Sequence, residues 1–348
     1  MKVGEQEIGT SQRPFFIAEA GVNHNGDLDT AKDLIDLAAD AGADAVKFQT
    51  FSADRLVTPE ASKAEYQTET TGEGSQYEML KRYELDREFH EILFEYCEQK
   101  DIMFLSTPFD RESADMLKDL GVNAIKLGSG ELDNIPLIKH VSQFGFPLIV
   151  STGMGTLDEV IAAHEAIQSV NSDPDVVFLH CTSAYPCSID DVHLRAMRTM
   201  EKELGTLVGY SDHTTLPETP ALAVAAGACV LEKHFTLDSD LPGPDHEASL
   251  EPDELSKSIN LVNVAYRMLG YSEKQPTPVE LDNLKKTRKS LHAAVDIPKG
   301  TQIQAEHLEI IRPADGVSPT RYDNILGART KKNIERGEPI TGEVLNLR

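Results

Sequence analysis

The sequence is poor in basic residues. Its 348 residues include 33 lysines and arginines against 58 aspartates and glutamates, and the formal net charge at pH 7 is −25. Binding to a nucleic-acid duplex requires clustered cations that neutralise phosphates, so this composition argues against nucleic acid as a partner. Because the field of such a protein repels anions, an anionic substrate would need a local cationic pocket.

Long apolar runs and paired cysteines are also missing. No apolar run approaches the ~18 residues needed to cross a membrane, and residues 1–15 contain no apolar stretch behind a basic one. The four cysteines, Cys97, Cys181, Cys187 and Cys229, lack C-x-x-C spacing. This scatter is typical of reduced thiols rather than of disulfides or a structural zinc site. We therefore expect a cytoplasmic protein without membrane contact.

Eight short apolar runs alternate with segments of helical periodicity. The runs are residues 15–19, 44–48, 102–106, 123–127, 147–151, 176–180, 207–211 and 229–234. Strands that alternate with helices pair in parallel through crossovers, and eight such units in roughly 250 residues match the size of a (β/α)8 barrel. The sequence therefore predicts an α/β fold with a TIM barrel.

Polar side chains stand at or just after the ends of the predicted strands. They are Glu19, Lys47, Gln49, Thr107, Lys126, Ser129, Glu131, Ser151, Thr182, Ser183, Ser211, Asp212, His213 and His234. In a TIM barrel the carboxyl ends of the strands converge on one face, which predicts a single polar site there. Helix capping would explain Thr107 and Ser151 individually. It does not explain Lys47 and Lys126, because lysine is rarely buried without a partner.

Three segments lie outside this strand–helix alternation. Residues 50–85 are long and polar for such a connection, and we interpret them as a loop over the substrate. We assign residues 1–270 to the barrel and the charged, proline-containing residues 271–289 to a linker. Residues 290–348 form a predicted small domain, in which 296–308 and 333–345 are an internal duplication.

A series of motifs carries a resemblance to a known family. The motifs are AEAGVNHNG (18–26), VKFQT (46–50), LSTPFD (105–110), KLGSGE (126–131), STGM (151–154), HCTSAYP (180–186), GYSDHT (209–214), LEKHFT (231–236), PGPDH (242–246) and IIRPADG (310–316). In this order they closely resemble the sialic acid synthase family, which includes legionaminate and pseudaminate synthases. The duplicated tail resembles the mostly β antifreeze-like (SAF) domain of that family.

The resemblance implies an activity and an assembly. The family joins phosphoenolpyruvate to the open-chain aldehyde of N-acetylmannosamine or a related N-acyl amino sugar, and releases phosphate and a nine-carbon keto acid. It also implies a domain-swapped homodimer, in which the antifreeze-like domain of one protomer caps the partner's barrel and brings Arg312 to the neighbouring site.

Individual roles follow from the same resemblance. The residues expected to bind phosphoenolpyruvate are Lys47, Thr107, Lys126, Ser129, Ser151, Ser183 and Ser211. The residues expected to hold the amino sugar are Glu19, Gln49, Tyr185, Asp245 and Arg312. Glu131 is the expected base that deprotonates the attacking water, and its alternative role is to cap the next helix. The further catalytic residues expected are Glu19, Lys47 and Lys126.

His213 and His234 end neighbouring predicted strands, so two imidazoles can meet while coordination positions stay open for water and substrate. Taken alone, a histidine in an apolar setting is more often structural than a ligand. The resemblance implies that this pair binds a divalent metal, Mn²⁺, with Mg²⁺ or Co²⁺ as alternatives. Such an ion would stabilise the alkoxide that forms when the enol carbon attacks the aldehyde.

Other functions account for part of the sequence. A synthase acting on a phosphorylated aldose would need a second basic phosphate site, which the acidic composition disfavours. A Schiff-base aldolase would use Lys126 to form an imine with pyruvate. A binding module would explain only the antifreeze-like tail. The sequence leaves the sugar open among N-acetylmannosamine, its 6-phosphate and the di-N-acyl trideoxy sugars.

Overall fold

A computed structural model of the chain describes residues 1–346. The chain divides into two compact units, Met1–Gly270 and Tyr271–Arg348. No helix in the described part of the chain has both the length and the apolar character needed to span a bilayer.

The first unit begins with a two-stranded hairpin and continues as alternating strands and helices. Its strands are β1 (Lys2–Val3), β2 (Gln6–Glu7), β3 (Phe15–Gly21), β4 (Ala45–Thr50), β5 (Met103–Pro108), β6 (Ile125–Leu127), β7 (Leu148–Ser151), β8 (Val176–His180), β9 (Leu207–Asp212) and β10 (Val230–His234). Its helices are α1 (Leu28–Ala41), α2 (Ala53–Leu56), α3 (Glu65–Thr71), α4 (Gln76–Tyr83), α5 (Arg87–Gln99), α6 (Arg111–Leu120), α7 (Ile135–Ser142), α8 (Leu157–Gln168), α9 (Ala196–Leu204), α10 (Thr219–Ala226) and α11 (Pro252–Leu269).

Strands β3 to β10 form the predicted barrel. They pair in parallel in the order β5-β4-β3-β10-β9-β8-β7-β6, and β5 and β6, at the two ends of this order, lie side by side. Each predicted strand corresponds to one of these eight strands, so the predicted (β/α)8 fold is confirmed. Parallel pairing places all the carboxyl ends on the same face of the barrel.

Alternation along the strands separates the two environments of the barrel. Phe15 and Ile17 belong to an apolar cluster with Leu105, Ile149 and Val230, all of which are buried. Because side chains on a strand alternate between its two faces, Glu19 shares the face of Phe15 and Ile17 but lies at the carboxyl end. The interior is therefore apolar toward the amino ends of the strands and polar toward the carboxyl ends.

Residues 50–85 differ from the predicted loop. They contain α2, α3 and α4, and α4 begins with a capping box in which Ser75 and Glu78 exchange side-chain to backbone hydrogen bonds. The helices bring Leu56, Val57 and Met79 to the wall of the cavity described below. The prediction that this segment covers the substrate is a separate matter and stays a prediction.

The second unit is mostly short strands. Its elements are α12 (Pro278–Thr287), β11 (Ser290–Ala293), β12 (Leu308–Ile311), α13 (Tyr322–Ile325), β13 (Arg329–Thr330) and β14 (Leu345–Asn346). Helix α12 occupies part of the segment that the sequence predicts as a linker. The two repeats pair with each other, because Ile297 and Ile334, at equivalent positions, exchange backbone hydrogen bonds of 2.8 and 2.9 Å. Both isoleucines belong to the buried core of this unit.

Candidate active site

A cavity of about 540 Å³ lies at the carboxyl ends of the barrel strands. It brings together most of the residues that the sequence singles out. Those that line it are Glu19, Lys47, Gln49, Thr107, Lys126, Ser129, Ser151, Ser183, Tyr185, Ser211, His213, His234 and Asp245. Residues from every barrel strand or the loop after it therefore share one space, as the convergence of strand ends requires.

Lys47, on β4, is buried between two carboxylates. Its Nζ lies 2.8 Å from Glu19 Oε2 and 3.8 Å from Glu232 Oε2. Burial lowers the pKa of Lys47, but the charges of Glu19 and Glu232 outweigh burial and leave that pKa above its usual value. The ammonium group also donates to Thr107 Oγ1 at 2.9 Å. Lys47 is therefore a fixed cation at the floor of the cavity.

Lys126, on β6, is the second buried cation. Its Nζ donates to Ser151 Oγ at 2.8 Å and lies 3.5 Å from Glu232 Oε1. Burial lowers the pKa of Lys126, and Glu232 offsets this only in part. Burial makes an incompletely paired ammonium group unfavourable. An anionic ligand would supply further negative charge beside Lys126 and so stabilise its charged form.

Glu232 is a site residue that the sequence reasoning did not assign. Although burial raises its pKa, the charges of Lys126 and Lys47 lower that pKa to about 2, so the group is a carboxylate at neutral pH. It accepts a hydrogen bond from Ser211 Oγ at 2.8 Å. Strand alternation could have identified it, because Glu232 stands two residues before His234 and shares its inward face.

The serine and threonine hydroxyls have defined polarity. Thr107 Oγ1 accepts from Lys47 and Ser151 Oγ accepts from Lys126. A hydroxyl group has one proton to donate. Because Thr107 and Ser151 act only as acceptors toward the lysines, each can still donate its own proton to another group. Among the described residues Ser183 Oγ is buried without a hydrogen-bond partner. These groups can donate to phosphate or carboxylate oxygens of a ligand.

The two predicted metal ligands lie close together. The ring centroids of His213 and His234 are 5.7 Å apart, and the Tyr185 ring lies 4.2 Å from that of His213. His213 Nδ1 is 2.6 Å from the Thr182 carbonyl oxygen, which leaves its Nε2 lone pair for another partner. Within residues 1–346, His234 Nδ1 is buried and finds no hydrogen-bond partner.

Both imidazoles are held neutral. Burial lowers the pKa of His213, and burial together with the neighbouring His213 lowers the pKa of His234 well below its usual value. Neutral imidazole is the form that ligates a metal. In the described part of the chain no three His, Cys, Asp or Glu side chains are grouped as a metal site would need. A metal on this pair would therefore complete its coordination with water or substrate.

Three predicted sugar-binding side chains converge beside Gly21. Glu19 Oε1, Asp245 Oδ2 and Gln49 Nε2 lie 3.4, 3.5 and 3.6 Å from the position that a Cβ on Gly21 would occupy. Gly21 has a φ of +55°, which favours glycine. Burial raises the pKa of Glu19 to about 7 against the attraction of Lys47, and burial raises the pKa of Asp245 to about 6. Each of these two carboxyl groups can therefore gain or lose a proton near neutral pH.

Two predicted site residues do not line the cavity. Glu131 follows Ser129 in a short 3-10 turn, and its Oε2 accepts a 2.6 Å hydrogen bond from Asn134 Nδ2. Burial raises the pKa of Glu131. Asn134, rather than Glu131, caps α7. Arg312 belongs to the second unit, directly after β12, and its side chain is exposed.

Comparison with known proteins agrees with the resemblance. Residues 34–274 match the NeuB family, and residues 288–345 match the SAF domain. The N,N'-diacetyllegionaminic acid synthase of Legionella pneumophila is 47% identical over 98% of this chain and 97% of its own length. The enzyme of the same name from Campylobacter jejuni is 43% identical over 94% of this chain and 99% of its own length.

A solved structure shows the same architecture. The N-acetylneuraminic acid (sialic acid) synthetase of Leptospira borgpetersenii is 34% identical and superposes with a TM-score of 0.73, over 81% of this chain and 94% of that one. The match therefore extends from sequence motifs to the arrangement of the barrel. The chain belongs to the NeuB family and is an enzyme of the sialic acid synthase type.

Proposed function

We propose that this enzyme condenses phosphoenolpyruvate with the open-chain aldehyde of a di-N-acyl trideoxy amino sugar, to give an acid of the diacetyllegionaminic type. In this reaction C3 of phosphoenolpyruvate bonds to the aldehyde carbon, water adds at C2, and the bond between C2 and the phosphate oxygen breaks. The observation that carries the proposal is the single cavity in which two buried lysines, several hydroxyl donors and two neutral histidines meet.

The lysines and hydroxyls form the proposed phosphoenolpyruvate site. Lys47 and Lys126 supply positive charge at the floor of the cavity. Thr107 and Ser151 accept from these lysines, so their hydroxyl protons can be donated to the ligand. Hydrogen bonds to charged groups contribute about 1.5–3 kcal/mol each. A few such bonds suffice to hold an anion in a protein whose overall charge repels it. Ser129, Ser183 and Ser211 complete the proposed set.

The histidine pair fits a divalent metal. Its donors are two neutral imidazoles, one oriented by the Thr182 carbonyl and one with an unpartnered buried nitrogen. When bound, the ion would supply Lewis acidity at the aldehyde oxygen, and we propose Mn²⁺, with Mg²⁺ or Co²⁺ as alternatives. The ends of adjacent strands position the backbones of His213 and His234, and the Thr182 carbonyl orients the ring of His213.

Two carboxyl groups are suited to accept the proton of the attacking water. Glu19 lines the cavity and has a pKa of about 7, which matches the requirement for a base at neutral pH. Glu131 has a raised pKa but is turned toward Asn134. We therefore propose that one of these two groups is the base. Single-turnover rates of Glu19→Gln and Glu131→Gln at saturating phosphoenolpyruvate separate the two, since the base variant loses the chemical step.

The apolar part of the cavity wall supports the choice of sugar. Leu56, Val57, Met79 and Leu80 come from α2, its C-terminal end and α4, and they face the same space as the polar floor. A trideoxy sugar with a second N-acyl group presents apolar surface that such a wall can cover. The two synthases of diacetyllegionaminic acid among the relatives support the same choice.

We also propose that the enzyme is a domain-swapped homodimer. Arg312 is exposed, and within the described residues it forms no hydrogen bond or ion pair in its own chain. An arginine in that state is available to bind the hydroxyl or N-acyl groups of a sugar in the cavity of the partner. Together with Gln49, Tyr185 and Asp245, it completes the proposed sugar site.

Phosphate release tests the proposal. The enzyme is incubated with phosphoenolpyruvate, Mn²⁺ and, separately, N-acetylmannosamine, its 6-phosphate and a 2,4-di-N-acetyl trideoxy sugar. We expect the highest kcat/KM with the trideoxy sugar and no turnover after removal of metal with EDTA. Preference for the 6-phosphate would refute the proposed sugar, and borohydride trapping of pyruvate on Lys126 would refute the proposed reaction.

A further inference from the structure

A buried ion pair lies behind the two site histidines. Lys233 and Asp212 have fully buried side chains, and Lys233 Nζ lies 2.6 Å from Asp212 Oδ2. Lys233 directly precedes His234 on β10, and Asp212 directly precedes His213 at the end of β9. Because side chains alternate along a strand, the pair points away from the cavity that the histidines line. The reaction proposed above assigns this pair no role.

The pair belongs to a hydrogen-bond network that includes the residues immediately before and after His213. Lys233 Nζ also donates to the Thr214 carbonyl oxygen and, at 3.3 Å, to Thr214 Oγ1. Asp212 Oδ1 accepts from the Thr214 backbone N–H at 3.0 Å. Lys233, which directly precedes His234, therefore bonds to both residues that flank His213, Asp212 and Thr214.

A third contact fixes the backbone of His213 itself. Its carbonyl oxygen accepts from the Cys187 backbone N–H at 2.7 Å, while its Nδ1 contacts the Thr182 carbonyl oxygen. The ring and the main chain of His213 are thus held by the loop after β8, and the relation of His213 to His234 is held by Lys233. The chain segments that carry the two histidines are therefore tied to each other.

Stability alone is a weak reason for such a pair. Moving two charges out of water is costly, and buried ion pairs can often be replaced by apolar groups of similar volume without loss of stability. What an apolar replacement does not reproduce is a set of directed bonds between two strand ends. The ammonium of Lys233 uses its donors on three defined acceptors, and all of them belong to the segment 212–214.

We propose that Lys233 and Asp212 are positioning residues that set the separation and orientation of His213 and His234 for a divalent metal ion. The inference rests on the metal site proposed above, but concerns residues that would not touch the ion. Replacing a group that is hydrogen-bonded to a metal ligand typically changes metal affinity by about 10- to 100-fold, and we take this range for a pair that acts on the ligands through the backbone.

Mn²⁺ titration of the metal-free full-length enzyme tests the inference. The main variant is Asp212→Asn with Lys233→Met, which removes both charges and keeps side-chain volume. The matched control is Glu218→Gln with Lys257→Met, because that pair has the same 2.6 Å Nζ–O distance in the same unit but is about half exposed. Calorimetry gives the Mn²⁺ affinity, and the melting temperature and phosphoenolpyruvate affinity are measured in parallel.

We expect Mn²⁺ binding to weaken about 10- to 100-fold in the Asp212 and Lys233 double variant and to stay unchanged in the control. Thr214→Val removes one acceptor of Lys233 and leaves both buried charges paired, so it gives a smaller loss in the same direction if the double variant does not fold. Wild-type Mn²⁺ affinity in either variant would overturn the positioning role, even with a lowered melting temperature. Absence of Mn²⁺ binding by the wild-type enzyme would instead overturn the metal site, and this inference with it.

Discussion

Gly153 offers a specific test of the anion site. A single methyl group there would displace the serine side chains proposed to bind the anion, without straining the backbone. A Cβ at this position would lie 2.3 Å from Ser183 Oγ, 2.8 Å from Ser129 Oγ and 2.9 Å from Cys181 Sγ. Gly153 is not among the residues with positive φ, so its backbone conformation accepts alanine. The Gly153→Ala methyl must therefore push these side-chain ends aside.

The methyl group should cost binding free energy as well as some stability of the fold. Ser183 Oγ has to move by about 1 Å or more to reach an ordinary contact distance, and a serine hydroxyl can do so by rotating. Overpacking of this kind costs about 1–3 kcal/mol of stability. A displaced hydroxyl can no longer donate to the ligand, and loss of one hydrogen bond to a charged group, about 1.5–3 kcal/mol, weakens phosphoenolpyruvate binding about 10- to 100-fold.

Calorimetric titration with phosphoenolpyruvate measures the effect, and Gly130→Ala is the matched control. Gly130 lines the same cavity, also lacks a positive φ, and would place its Cβ in open space. We expect binding close to wild type for Gly130→Ala and the full loss for Gly153→Ala. Wild-type affinity in a folded Gly153→Ala variant would refute the assignment of Ser129 and Ser183 to the anion site.

Three further predictions concern charge and loop geometry. Phosphoenolpyruvate affinity should fall as pH rises through about 7, because burial raises the pKa of Glu19 and this group then gains a negative charge beside the site. Measurement of Kd as a function of pH tests this, and Glu19→Gln should flatten the profile. The Glu232 carboxylate should stabilise the fold at pH 7 by about 3 kcal/mol, since its pKa falls from 4.5 to about 2 and each unit corresponds to about 1.4 kcal/mol. This contribution is present above pH 4.5 and is lost as pH falls through about 2, so urea unfolding of Glu232→Gln should converge with wild type in acid. Ser290 Oγ links the Pro313 carbonyl to the Gly316 N–H at 2.7 and 2.9 Å and so holds the loop of Arg312; Ser290→Ala should raise KM for the sugar more than it lowers kcat, and Ser290→Thr should restore it.

The barrel and most of its cavity could be predicted because both follow from local periodicity. An apolar run of strand length gives each strand, and the residue at its carboxyl end faces the common site wherever alternation turns it inward. Lys47 and Lys126 were informative for this reason, since each stands within or at the end of an apolar run where a cation needs a partner. The family motifs then gave roles that spacing alone does not give.

The helices of residues 50–85 were missed because the composition of this segment is mostly polar, which is typical of a loop. Helix α12 was missed because prolines in 271–289 indicated a linker, although Pro278 occupies the first turn of the helix, where proline is favoured. The capping box of Thr277 and Glu280 was a local signal for that helix. Glu232 was missed although its alternation with His234 places it on the inward face of β10. The sequence alone does not show that Lys47 on β4 and Lys126 on β6 lie beside it.

The charge balance of the cavity explains how an acidic protein can hold an anion. Lys47 and Lys126 are each paired with carboxylates, so the empty site is close to neutral rather than strongly cationic. Glu232 is locked in its ionised form, whereas Glu19 has a pKa of about 7 and can take up a proton. An arriving anion raises the pKa of Glu19 further by repulsion, so binding draws a proton onto that group and releases Lys47 from its nearest counter-charge. A protonated Glu19 cannot accept the proton of the attacking water, so this charge balance favours Glu131 among the two proposed bases. The local positive charge that the substrate needs is therefore produced on binding, and the free enzyme avoids the cost of burying two unpaired cations.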